Sequence, residues 1–171
     1  MIARSQPKIE PADWQHVQRA AYARPADLLA ALGLTAAEVG LSEVAAADFG
    51  FRVPRPWAAR IRPGDPRDPL LLQVLPVAEE TRTRAGFLAD PVGDLAAERA
   101  PGLLHKYRGR ALLLLTGACA IHCRYCFRRE FPYSDSVGTA RLDAALELLA
   151  AAGDVDEVIL SGGDPLSLRD D

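Results

Sequence analysis

Two rhythms of apolar residues run along this chain. In the first half they recur three and four positions apart in short bursts; in the second they gather into two blocks, 111–115 and 155–160. The first rhythm is that of helices with one buried face, the second that of strands covered on both sides. Residues 27–32 predict a turn or two of amphipathic helix, closed by Gly33. Thr35 with Glu38 three positions on is a capping box, and Leu34 and Val39 suit the staple across it. A further helix is expected over 42–49. Pro56 fits the first position of another, with Trp57 and Ile61 one turn apart on its face, before a turn at 62–65. Asp68-Pro69 opens a last short helix carrying Leu70, Leu71 and Val74. From Pro76 to Gly102 no period is sustained, and Pro91, Gly93, Pro101 and Gly102 punctuate a connecting strap. These apolar faces are core, and no chemistry is assigned to them.

The second half reads as one strand–helix–strand unit. Thr139 is the expected N-cap of its helix, Leu142, Ala145, Leu146 and Leu149 recur at helical spacing, and Gly153 closes it. A parallel pair joined this way takes a right-handed crossover, so both strands end on the same side of the sheet. The turn at 116–118 and the Ser-Gly-Gly-Asp-Pro-Leu segment at 161–166 then become neighbours at the carboxyl edge, where parallel α/β sheets and barrels form their sites. The expected organisation is a helical region with strap over 1–100 and an α/β unit over 101–171.

Composition narrows the class without naming it. With 49% apolar and 25% charged residues and a net charge of −3, the chain can bury a sizeable core and lacks the basic footprint of a nucleic-acid binder. No apolar run approaches a membrane span, and the first eleven residues lack the apolar core of a secretory signal. A reducing cytoplasm is the expected location, since all three cysteines sit together as C-x3-C-x2-C: Cys119, Cys123 and Cys126. Three thiolates on one loop suit an iron–sulfur cluster, which would keep one iron open because the chain has no fourth cysteine. Zinc bound by these three and His122, a disulfide with one cysteine left over, and chance spacing are the other readings. The paired Gly162 and Gly163 at a strand end serve either as a turn device or as backbone that a ligand approaches closely.

The cysteine spacing, with the aromatic Tyr125 before the last cysteine, resembles the radical S-adenosylmethionine (SAM) superfamily. The runs GLLHKYRGRALLLLTGACAIHCRYCFRREFPY and SGGDPL, with FRVPRPW and DPLLLQVLP upstream, resemble the lysine 2,3-aminomutase family over residues 45–171. Phe127-Arg128-Arg129 and Phe131-Pro132-Tyr133 are most similar to the branch that makes (R)-β-lysine for elongation factor P, rather than to free-lysine enzymes. The resemblance implies an α/β fold: the start of a partial (β/α)6 barrel behind an N-terminal helical region. It implies a [4Fe–4S] cluster on Cys119, Cys123 and Cys126, with SAM against Tyr125, Gly162, Gly163 and Asp164. It further implies pyridoxal 5′-phosphate (PLP) near Tyr107, Lys106 and Arg110, and a substrate carboxylate on Arg128. The implied reaction moves the α-nitrogen of L-lysine from C2 to C3. The implied partners are a reductant such as flavodoxin, then a ligase and elongation factor P, with no nucleic acid or membrane. The family's PLP-anchoring lysine lies further toward the carboxyl end than Asp171, and Lys8 and Lys106 are the chain's only lysines. The expectation is therefore an incomplete barrel that does not anchor PLP alone.

Overall fold

The computed structural model describes residues 14–137 and 139–168; the amino-terminal stretch read above for a signal lies outside them. The chain divides into two units, one of residues up to Arg82 with Ala120–Arg124, the other Thr83–Cys119 with Tyr125–Asp171. The strap from Thr83 onward thus groups with the sheet, although the sequence suggested a boundary near residue 100.

The first unit is a set of short helices: α1 (Trp14–Arg19), α2 (Pro25–Leu32), α3 (Ala36–Val39), α4 (Glu43–Asp48), α5 (Arg55–Ala58) and α6 (Pro69–Leu72). They are short because glycine and proline interrupt them, so packing rather than helix length must hold them. Leu28, Leu29 and Leu32 of α2 meet Phe51, Val53, Ile61, Leu71, Val74 and Leu75 in one buried cluster. Each such side chain contributes about 1.5–3 kcal/mol when fully buried. The capping box of Thr35 and Glu38 is formed, and Leu34 and Val39 join that cluster. Asp68 is almost fully buried and caps α6, accepting the amides of Leu70 at 2.8 Å and Leu71 at 3.4 Å. Pro56 lies one position later than expected, because Pro54 is the cap residue and Arg55 begins α5.

In the second unit, α7 (Tyr133–Ser136) and α8 (Thr139–Ala151) accompany a four-stranded sheet. Its strands are β1 (Glu98–Ala100), β2 (Leu103–Tyr107), β3 (Gly109–Thr116) and β4 (Val155–Gly162), adjacent in that order. β3 and β4 are parallel with α8 between them in sequence, as expected. The two antiparallel pairings, β1 with β2 and β2 with β3, correct the reading of one strand–helix–strand unit. Leu103-Leu104 is too short an apolar pair to show a period, and the Arg108-Gly109 turn hides between basic residues. The cap expected at Thr139 rests on a side chain outside those described.

The pleat sorts the sheet into two faces. Leu103, Ala111 and Leu113 pack on Ala145 of α8, joined by Leu142 and Leu149. Leu146, expected on the same stripe, is 48% exposed, so the helix buries a narrower face than the sequence suggested. On the opposite face Leu104, Leu112 and Ile159 floor a cavity. Among the described residues no helix is long and apolar enough to cross a membrane.

Candidate functional site

The cysteine loop starts where β3 and β4 end together. Thr116 pairs with Gly162, the Gly163 amide donates to the Thr116 carbonyl at 2.6 Å, and the Asp164 amide donates to the Ala118 carbonyl at 2.7 Å. A Cβ on Gly162 would collide with the Thr116 carbonyl and one on Gly163 with that of Ala118; Gly162 also holds φ at +130°. Only glycine allows this approach. With the Gly163 and Asp164 amides committed to the loop, carbonyl oxygen is what that backbone can offer, which suits an ammonium ligand. The Asp164 carboxylate accepts the Leu166 amide at 3.1 Å, capping the turn Pro165–Ser167.

The middle of the loop is built differently. Ala120–Arg124 folds as part of the first unit, where Ile121 joins the helical core. The His122 amide donates to the Arg52 carbonyl at 2.9 Å, and its ring nitrogen Nδ1 lies 2.9 Å from the Gly50 carbonyl. That second contact fixes the orientation of the ring through Nδ1. Arg124 is buried, its guanidinium donating to the Phe49 carbonyl at 2.7 Å, the Ala45 carbonyl at 2.8 Å and Glu80 Oε2 at 2.6 Å. Its own amide donates to the Gln73 carbonyl at 2.8 Å. Both neighbours of Cys123 are thereby fixed.

None of the three cysteines is joined in a disulfide, and each is partly exposed. Among the described residues no three histidine, cysteine or acidic side chains converge on a point where one ion could sit. A thiolate-only donor set is of the kind that iron–sulfur clusters use. Tyr125 is 69% exposed beside the last cysteine. In the second unit Tyr133 is pushed up to about 12, chiefly by burial, so its phenol stays neutral.

The cavity on the open face of the sheet has a volume of about 250 Å³. Lys106, Tyr107 and Arg110 reach it from the β2–β3 hairpin, and Phe127 and Arg128 from the chain just past Cys126. The structure thus brings together the residues expected to serve PLP and substrate, while Gly162, Gly163 and Asp164 stand at the other end of β3. Two acidic groups complete the picture. Arg110 pairs with Glu157. Asp94, buried in the strap, pairs with Lys106 through Oδ1 and with Arg128 through Oδ2, the latter at 2.6 Å. Arg128 also donates to the Ser161 hydroxyl at 3.1 Å, and its guanidinium carbon lies 4.7 Å from the Phe127 ring centroid. These cations suit a phosphate and a carboxylate, so the lining fits PLP and an amino acid. Asp94 lies in a stretch without period and Ser161 stands just before a glycine pair, so no local sequence signal marks either as a partner of Arg128.

Residues 113–171 match the family model of the radical SAM superfamily. That span holds the C-x3-C-x2-C cysteines after one parallel strand and the glycine pair at the end of the next, where Thr116 and Ala118 meet Gly162 and Gly163. Over most of its length the chain is similar to proteins named L-lysine 2,3-aminomutase. It is 41% identical over 162 residues to the L-lysine 2,3-aminomutase of Haemophilus influenzae, covering 94% of this chain and 48% of the relative. It is 47% identical over 148 residues to that of Escherichia coli, covering 85% and 43%. With that of Clostridium subterminale the identity is 38% over 117 residues, covering 67% and 28%. The chain spans about half the length, or less, of these curated relatives.

Proposed function

We propose that this chain supplies the cluster, SAM and substrate-carboxylate half of an enzyme that converts L-lysine to β-lysine. The observation that carries this is Arg128: two residues past Cys126, it is held by Asp94 and Ser161 on the wall of a cavity that Lys106, Tyr107 and Arg110 also line. In this reading Cys119, Cys123 and Cys126 hold a [4Fe–4S] cluster, and the carbonyls around Gly162 and Gly163, together with Asp164 and the exposed Tyr125, receive SAM. Lys106, Tyr107 and Arg110 hold the PLP phosphate, and Arg128 grips the lysine carboxylate with its two-pronged guanidinium. When bound, the reduced cluster and SAM supply radical chemistry and PLP stabilises the nitrogen shift. The chain's own side chains orient the ligands and keep water from the cavity. The thiol set calls for a reducing cytoplasm and a small electron donor such as flavodoxin.

The finer reading is that the β-lysine serves elongation factor P, through a downstream ligase. Phe127 supports it: the resemblance separates the branches at this position, and its ring packs beneath Arg128 at the cavity.

The test uses a polypeptide that carries this chain and spans the full length of its relatives. After anaerobic reconstitution it is incubated with lysine, SAM, PLP and dithionite, and β-lysine is measured by chromatography. Cys123→Ala should abolish SAM cleavage, and full cleavage by that variant would sink the cluster assignment. Arg128→Lys should keep its iron and sulfide content and lose lysine turnover, because a point charge cannot reproduce bidentate geometry. Unchanged lysine kinetics would remove Arg128 from the site.

A further inference from the structure

The cavity contains more order than ligand binding by separate cations requires. Asp94 is 2% exposed and places one carboxylate oxygen on Lys106 and the other on Arg128. Its own position is fixed from behind. The Asp90 carboxylate accepts the Asp94 amide at 2.8 Å and the Leu95 amide at 2.9 Å, clamping the turn that presents it. Lys106 is held from a second side by the Val92 carbonyl at 2.6 Å, and Arg128 by the Ser161 hydroxyl. Arg110, the remaining cation of the lining, is balanced by Glu157. Lys106 and Arg128 therefore set the cavity's charge against the single carboxylate of Asp94.

We propose that Asp94 is the positioning residue of this cavity: it holds Arg128 and Lys106 as one unit and leaves them a single net positive charge between them. The cavity then discriminates against small free anions and favours a ligand large enough to engage both cations. Two unneutralised cations in a partly desolvated pocket would bind any anion, inorganic phosphate above all, and compete with the proper ligands. A carboxylate shared between them suppresses that binding while fixing which edge of the Arg128 guanidinium is presented. This rests on the assignment of Arg128 and Lys106 to ligand anions made above.

Inorganic phosphate, titrated calorimetrically into the polypeptide that carries this chain and spans the full length of its relatives, tests the inference without reference to turnover. Asp94→Asn should bind phosphate roughly tenfold more tightly than the parent, since it removes the charge that cancels one cation. Asp94→Glu, which restores that charge, should return the affinity close to the parent's. Adding Arg128→Gln to Asp94→Asn should abolish the gain. A structural lesion would weaken binding, so the sign is diagnostic. Unchanged or weaker phosphate binding in Asp94→Asn, or a gain that survives loss of Arg128, overturns the proposal. If Asp94→Asn does not fold, Lys106→Met and Arg128→Met decide: each leaves Asp94 cancelling the remaining cation, so phosphate binding should vanish in both. Persistent binding in either refutes it. Failure of the underlying assignment would register elsewhere, as unchanged lysine kinetics in Arg128→Lys.

Discussion

Arg124 shows how much one side chain can hold in place. Its guanidinium satisfies Glu80 and the carbonyls of Phe49 and Ala45 from a buried position within the first unit. Removing one partner of such a pair strands the other, at a cost of about 3–5 kcal/mol. Arg124→Ala should therefore lose stability on that scale in urea unfolding. Glu80→Gln, which keeps acceptor capacity and removes the buried anion, should lose less. A backbone counterpart lies in the second unit at Gly163, where an alanine Cβ would run into the Ala118 carbonyl. Because backbone cannot move aside as a flexible side chain can, Gly163→Ala should cost about 2–3 kcal/mol. It should also free the Asp164 amide to exchange with solvent, which hydrogen exchange would detect.

Among the elements, α6 carries a dependence on pH. Burial works against ionising Asp68, yet the amides of Arg62, Leu70 and Leu71 and the Arg62 guanidinium outweigh it and hold the carboxyl below its ordinary 3.8. A folded value below the unfolded one gives stability that is present above 3.8 and lost as pH falls through the folded value. Asp68→Asn should cost about 1–2 kcal/mol at neutral pH, the usual effect of a lost cap. The difference from the parent should close in acid, as thermal melts across that range would reveal. Elements of this kind were legible in the sequence because their signals are local: Asp68-Pro69, Thr35 with Glu38, and the apolar blocks of β3 and β4. β1 and β2 were not, since their pairing depends on partners distant in sequence and on a turn with no asparagine to mark it. For the same reason the cysteines and the glycine pair stand out in the sequence as candidates, whereas Asp94, which meets Lys106 and Arg128 only in the fold, does not.

At the scale of the molecule, the sheet of the second unit leaves apolar surface in the open. Val158, Ile159 and Leu160 of β4 are 42%, 37% and 57% exposed, and β4 is the outermost strand among those described. An apolar edge strand is a template for pairing with another chain. The chain expressed by itself should self-associate, visibly in light scattering, and should yield no β-lysine even when supplied with iron, sulfide, SAM, PLP and reductant. Leu160→Lys should reduce the scattering. The segment Ala120–Arg124 bears on something else, the order of events as the protein matures. In a zinc finger the metal arrives first and the peptide organises around it. Here the two neighbours of Cys123 are held by carbonyls and side chains of the first unit; if the thiols take iron, that unit should fold before the metal arrives. Iron supply would then determine how many finished folds are loaded, and iron starvation should leave an apoprotein whose first unit still resists proteolysis.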